Sequence, residues 1–176
     1  MAGSTSRTRR VASSLLVCVA ALAADLTSKA WAWETLRRGG RRVVVEGLLR
    51  FEFAFNTGSA FGFLRRLDAA RTVFIAITVL VLIYLGRMLR RLPLTSAVPF
   101  VAVGLFAGGA IGNLHDRLVR HMWIFDQGDR YGVVDFIVVS VGRRTWPAFN
   151  LADVALAVGV GLLIVSLVRR ARAPQG

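Results

Sequence analysis

The sequence predicts an all-α membrane protein: four transmembrane helices carrying a small extracytoplasmic antiparallel β-sheet and a short amphipathic surface helix. Three observations lead there. Of 176 residues, 55% are apolar and 19% charged, at a mean hydropathy of +0.58, whereas a soluble domain averages about 45–50% apolar and about 25% charged. The apolar residues gather in four blocks, about the number and length a bilayer asks for. Between the first two blocks, Arg50-Phe51-Glu52-Phe53-Ala54-Phe55 alternates with period two, the pattern of a half-buried strand.

Taken in order, the first block, Val11–Ala24, reaches spanning length only by continuing through Asp25 and Lys29 to Trp33. Arg7, Arg9 and Arg10 ahead of it and Ala21-Leu22-Ala23 within it look like a cleavable secretory signal. The continuation Asp25-Leu26-Thr27-Ser28-Lys29, with an acid and a base four apart on one helical face, argues for an uncleaved helix. Val43-Val44-Val45, the turn residues Glu46-Gly47 and the alternating phenylalanines make a small antiparallel sheet. Residues 61–67 form a short amphipathic segment on the membrane surface. The second block, Val73–Leu85, borrows flanking residues; Leu94–Leu114 and Ala148–Val168 suffice alone. The expected organisation is one membrane-embedded domain over 1–176. Its spans lie at about 11–33, 69–89, 94–114 and 148–168, the β region at about 40–60 and an outer loop at 115–147.

Twenty-two arginines and one lysine face ten acids, a net charge of +13. The arginines sit at the ends of apolar blocks, where they snorkel toward lipid headgroups, so membrane lipids are expected as partners and nucleic acid is not. The N-terminal tail, the Gly86–Leu92 link and the C-terminal tail each carry three arginines and no acid. This places both termini in the cytoplasm, although the longer connections hold more arginines in total. Trp31, Trp33, Trp123 and Trp146 near span ends suit an aromatic belt. A lone Cys18 allows no intrachain disulfide. With His115 and His121 the only histidines there is no HExxH pair, and no Gly-x-Ser-x-Gly elbow occurs. Neither a metal nor an organic cofactor is expected.

Ionisable groups within membrane helices cost on the order of 3 kcal/mol each, so a chain that keeps several pairs them or uses them. Asp25 with Lys29, Asn113 with Asp116 and Arg117, Asp135, and Asn150 with Asp153 all fall toward the outer face on this topology. Asp25 and Lys29 read as a neutralising ion pair, and Asp116 beside Arg117 as a salt-bridged rim. Asp153 has no cation within five residues, and Asn150, three residues earlier, is placed to donate a hydrogen bond to it. Asp135 lies in an otherwise apolar stretch, Val133–Val139. Two carboxylates brought close share one proton near neutral pH, the arrangement with which an aspartyl protease activates water. A proton-coupled transporter using Asp25, Asp116 and Asp153 and a non-catalytic assembly protein remain alternatives.

Asp25-Leu-Thr-Ser-Lys29, Asn56-Thr-Gly58-Ser-Ala60-Phe61, Gly108-Gly-Ala-Ile-Gly-Asn113-Leu-His-Asp116-Arg117, Val133-Val-Asp135-Phe136 and Phe149-Asn150-Leu-Ala152-Asp153 together resemble the boxes of the lipoprotein signal peptidase (signal peptidase II) family. Each box is weak alone, but five in the family's order on a four-span frame are specific. The resemblance implies an aspartyl endopeptidase of the bacterial inner membrane; a monomer is expected. It would cleave diacylglyceryl-modified prolipoproteins just before the lipidated cysteine. By the same match Asp135 and Asp153 are the catalytic pair, with Asp116 the rival partner. Asn113, Arg117, Asn150 and Ala152 belong to the site, Asn56 and Gly58 to the outer sheet that cradles substrate, and Asp25 and Lys29 support. Leu26 stands where the family usually has glutamine, and the 118–132 loop is longer than usual.

Overall fold

In a computed structural model that describes residues 2–58, 69–125 and 128–172, four helices are long and apolar enough to cross a membrane. They are α1 (Ala2–Thr35), α2 (Ala69–Arg91), α3 (Val98–Val119) and α4 (Leu151–Ala171). The third is the hub. Of its most apolar stretch 56% is buried, against 6–11% in the other three, whose Leu15, Leu16, Ile77, Leu80, Ile164 and Leu167 face outward. Glycines explain how the other helices approach it. Gly104, Gly108 and Gly112 recur every fourth residue along the α3 face toward α1, and a Cβ on Gly108 would lie 2.7 Å from the Cys18 carbonyl. On the α4 side a Cβ on Gly109 would meet the Ala152 carbonyl at 2.5 Å, and one on Gly159 the Ala102 carbonyl at 2.9 Å. Within lipid, where apolar burial gives helices little reason to associate, this backbone-to-backbone approach supplies the dispersion contact.

Helix limits depart from the apolar blocks for local reasons. The first helix begins well before Val11, because its arginine-rich start is helical too. Pro99 sits in the first turn of α3, where a missing N–H costs nothing, so that helix starts at Val98 rather than Leu94 and carries Asn113 and Asp116 within its last turns. Asn150 caps α4, which therefore starts at Leu151 and not at Ala148.

The region expected as an outer loop, 115–147, is largely structured. After α3 come a hairpin of β3 (His121–Ile124) and β4 (Gly128–Tyr131), then β5 (Val133–Val141) and β6 (Arg144–Thr145). The sheet expected over 40–60 is only half of what forms. β1 (Arg41–Val45) and β2 (Leu49–Asn56) continue through β5 to β6 in a four-stranded antiparallel sheet of order β1-β2-β5-β6. The apolar, β-branched run at 133–139, which carries Asp135, lies in β5, one of the sheet's two inner strands. The register shifts by one residue between Phe51 and Ala54, so a bulge in β2 lies beside Asp135, the partner of Ala54.

This sheet rests on the protein's own first helix. Phe51 packs edge-on against Trp31 at 5.6 Å, and Phe53 and Phe55 against Trp33 at 5.8 and 6.0 Å. Trp31 and Trp33 thus join a core with Leu36, Val134 and Phe136 rather than an interfacial belt, because the end of α1 rises under the sheet. Trp123, Phe125 and Trp146 stay exposed. The amphipathic segment expected over 61–67 lies outside the described residues.

Candidate active site

The ionisable and amide residues singled out from the sequence meet at one end of the bundle, where α1 and α3 finish, α4 begins and the sheet sits. Main-chain bonds bring the pieces together. Phe149 exchanges N–H···O bonds with Ile137 at 2.8 and 3.0 Å, which sets the start of α4 against β5. Asn150 follows in an extended conformation and forms a capping box with Asp153: its side-chain oxygen accepts from the Asp153 N–H at 3.0 Å, and the Asp153 carboxylate accepts from the Asn150 N–H at 3.1 Å. The Asn150 amide nitrogen is therefore free to turn elsewhere, and it donates to Asp135 Oδ1 at 2.7 Å. The expected bond from the Asn150 side chain to the Asp153 carboxylate does not form. An i, i+3 pair at a helix start makes a cap before it makes a shared face.

Asp135 also accepts from Asn56 Nδ2 at 3.1 Å, while Asn113 Nδ2 donates to Asp153 Oδ1 at 2.9 Å. Each carboxylate is thus held from two sides. They differ in access: Asp135 is 3% exposed, whereas Asp153 is only partly buried. Burial, reinforced by the negative charge of Asp153, pushes the Asp135 carboxyl up to about 6, and the two amide donors only partly offset this.

Beneath the pair lies a fully buried layer. Lys29 Nζ reaches Asp25 at 2.7 Å, Asn113 Oδ1 at 2.8 Å and Asp116 at 3.7 Å. The ion pair expected within α1 is present, but the lysine also orients the amide that holds Asp153. Asp25 accepts from the Ala152 N–H at 2.9 Å, tying α1 to the first turn of α4. Asp116 accepts from the Val134 N–H at 3.0 Å, which fixes β5 one residue from Asp135. Besides Lys29, the arginine that pairs with it is not Arg117 but Arg120, at 3.0 Å. Adjacent residues on a helix diverge by about 100°, whereas i and i+4 share a face. Arg117 instead donates to the Asn113 carbonyl at 3.2 Å, lies over the Phe74 ring, and its charge interacts with Asp153, Asp135 and Asp116. Gly58, at φ +80°, donates its N–H to Asn56 Oδ1 at 2.9 Å, so the amide that reaches Asp135 is itself oriented. In the hairpin, Asp129 pairs with His121, away from this group.

Sequence reasoning passed over Arg120, although the i, i+4 rule applied to Asp25 and Lys29 finds it. It also passed over Gly112, whose missing side chain makes room for the Asp25 carboxylate. Arg71, one of the arginines expected to snorkel at a span end, caps the end of α3 through the Arg117 carbonyl at 2.7 Å and lies over Tyr131 at 3.7 Å. Among the described residues no three His, Cys, Asp or Glu side chains gather as metal ligands.

A family model described as signal peptidase (SPase) II matches residues 17–169, nearly the whole chain. The chain belongs to the signal peptidase II family. Curated relatives agree. The lipoprotein signal peptidase of Dichelobacter nodosus is 38% identical over 160 residues, 88% of this chain and 93% of the relative. That of Streptomyces coelicolor is 37% identical over 168 residues, 96% of this chain and 76% of the relative. The fold is similar to two solved bacterial membrane enzymes. One has a TM-score of 0.71 at 30% identity and covers 89% of this chain and 92% of its own; the other has a TM-score of 0.73 at 29% identity and covers 94% and 93%. As a signal peptidase II family member, the chain is a bacterial membrane protease, and the four-helix frame with its small sheets is the scaffold expected from the sequence.

Proposed function

We propose that this protease removes the signal peptide from diacylglyceryl-modified prolipoproteins, cleaving just before the lipidated cysteine, and that Asp135 and Asp153 are its catalytic pair. The observation that carries the reading is the paired placement of the two carboxylates. One is buried with its proton affinity raised, the other more open and held by two N–H donors, and both sit at one end of the spans. Asp135 holds the shared proton and Asp153 acts as base. A water between them gives a proton to Asp153 as its oxygen attacks the scissile carbonyl, and Asp135 protonates the carbonyl oxygen. The resulting diol returns a proton to Asp135 while Asp153 protonates the leaving nitrogen, and the C–N bond breaks.

A lipid-anchored substrate approaches in the plane of the membrane, so its scissile bond arrives at the height of the span ends. Holding the bond against a poised water there accounts for several kcal/mol of the barrier. Arg117, Asn113, Asn150, Asn56, Gly58 and Ala152 hold the pair and the substrate backbone; Asp25, Lys29 and Asp116 support from below. The tails face the cytoplasm, the pair faces outward, and the enzyme works as a monomer. A proton-coupled transporter would need ionisable groups near mid-span, whereas those here gather at one end. Cleavage of a diacylglyceryl-modified prolipoprotein by purified enzyme, by Asp153→Asn and by Asp135→Asn tests the proposal. Both variants should fold and lose cleavage, and activity surviving in the double variant would refute it.

A further inference from the structure

At the end of the bundle opposite the carboxylates, α2 and α4 stand apart on either side of α3 and enclose a cavity of about 330 Å³. Its wall is apolar, with Met88, Leu92 and Pro93 on one side and Leu163 on the other, and Ser166 and Arg170 mark its α4 rim. The floor is anchored. Arg7 crosses from α1 and donates to the carbonyls of Arg90 and Leu92, at 2.9 and 3.3 Å, fixing the turn that carries Leu92 and Pro93. Arg90 and Arg91 close the last turn of α2, and Arg169 and Arg170 that of α4. All ten acids lie between residues 25 and 153, and none lies between residues 69 and 115 or after 153, the stretches that hold both helix ends. Among the described residues none of these four arginines has a carboxylate within ion-pair distance. An apolar slot with the unpaired Arg170 on its rim, and three more arginines at the two helix ends beside it, matches an acyl chain below an anionic headgroup.

We propose that this cavity is a binding site for one anionic glycerophospholipid of the surrounding bilayer, with an acyl chain between α2 and α4 and its phosphate against Arg170. Basic pockets between transmembrane helices recognise such headgroups by charge, whereas a zwitterionic lipid offers no net charge to the arginines. The site is independent of the proteolytic chemistry at the other end. By wedging α2 against α4, the lipid joins the helix that α3 holds least extensively to the rest of the bundle.

The test is native mass spectrometry of delipidated protein in detergent, titrated with phosphatidylglycerol or with phosphatidylcholine of the same acyl chains. The expected result is one tightly held phosphatidylglycerol per chain. Retention should be about fivefold weaker in Arg170→Gln, the factor for one lost headgroup-facing arginine. It should be lost in Ser166→Phe, which fills the slot, and unchanged in Arg169→Gln, whose side chain does not line it. Arg170 is exposed, so its variant folds even if the bulky one does not. Equal retention of the two lipids, or several lipids bound regardless of the Arg170 substitution, would overturn the proposal. So would stoichiometric displacement of phosphatidylglycerol by a synthetic signal-sequence helix, which would assign the slot to substrate.

Discussion

Lys29→Met removes the one cation at the centre of the buried layer. The methionine fills nearly the same space, so the loss is electrostatic. In the wild type Lys29 Nζ lies 2.7 Å from Asp25 and 3.7 Å from Asp116, and all three side chains are 0% exposed. Without it Asp116 keeps Arg120 at 3.0 Å, but Asp25 keeps only the Ala152 N–H at 2.9 Å. Breaking a buried pair from one side costs about 3–5 kcal/mol, because the remaining charge is left uncompensated. That lowers the folding equilibrium by about a hundredfold to several thousandfold, at 1.4 kcal/mol per tenfold. In Asp25→Asn/Lys29→Met no charge of the pair remains, and the asparagine oxygen still accepts from Ala152. The double variant should therefore recover about 2–3 kcal/mol of the single variant's loss, a coupling within the range of contacting residues. Unfolding in mixed micelles of rising SDS fraction, followed by tryptophan fluorescence, measures each arm of the cycle. A single-variant cost below about 1 kcal/mol, or a double variant as unstable as the single, would refute the reasoning.

Four further outcomes follow from the same geometry. Asp135 binds its proton more tightly folded than unfolded, since its carboxyl rises from 3.8 to about 6; stability should fall as pH rises through that window and level off above it, and kcat/KM should decline as pH passes about 6, both read from pH titrations. Asn56→Leu removes a donor that favours the ionised form of Asp135, so the alkaline limb of kcat/KM should move to higher pH. Asn150→Ala deletes both the α4 cap and the bond to Asp135; it should cost about 1–3 kcal/mol in micelle unfolding and lower kcat more than it raises KM. Gly112→Ala would drive a methyl into the Asp25 carboxylate, a strain of about 1–3 kcal/mol, and combining it with Asp25→Ala should cost less than the sum in the same assay.

Some of this was legible in the linear order of residues. Spans are set by composition over about twenty residues, a local property, and four apolar blocks therefore declared themselves. Charged and amide groups in such blocks are costly enough to be conspicuous, so Asp25, Lys29, Asn113, Asp116, Asp135, Asn150 and Asp153 stood out singly. The Asp25–Lys29 bond needed nothing beyond i, i+4 spacing within one helix.

What the linear order left open depends on which elements lie side by side. Asp116 takes Arg120 rather than Arg117, and the Val134 N–H, because helix rotation and the sheet's height decide its neighbours. Asn150 serves Asp135 because Phe149 pairs with Ile137, a contact between segments that periodicity cannot connect. The phenylalanines of β2 turn onto Trp31 and Trp33 instead of lipid because α1 ends beneath them. Residue type and spacing are enough to name the charges a membrane would not tolerate unpaired. Only the packing of α1, α3, α4 and β5 at one end decides how each is paired, since hydrogen-bond partners are fixed within about 3 Å and across a hundred residues of chain.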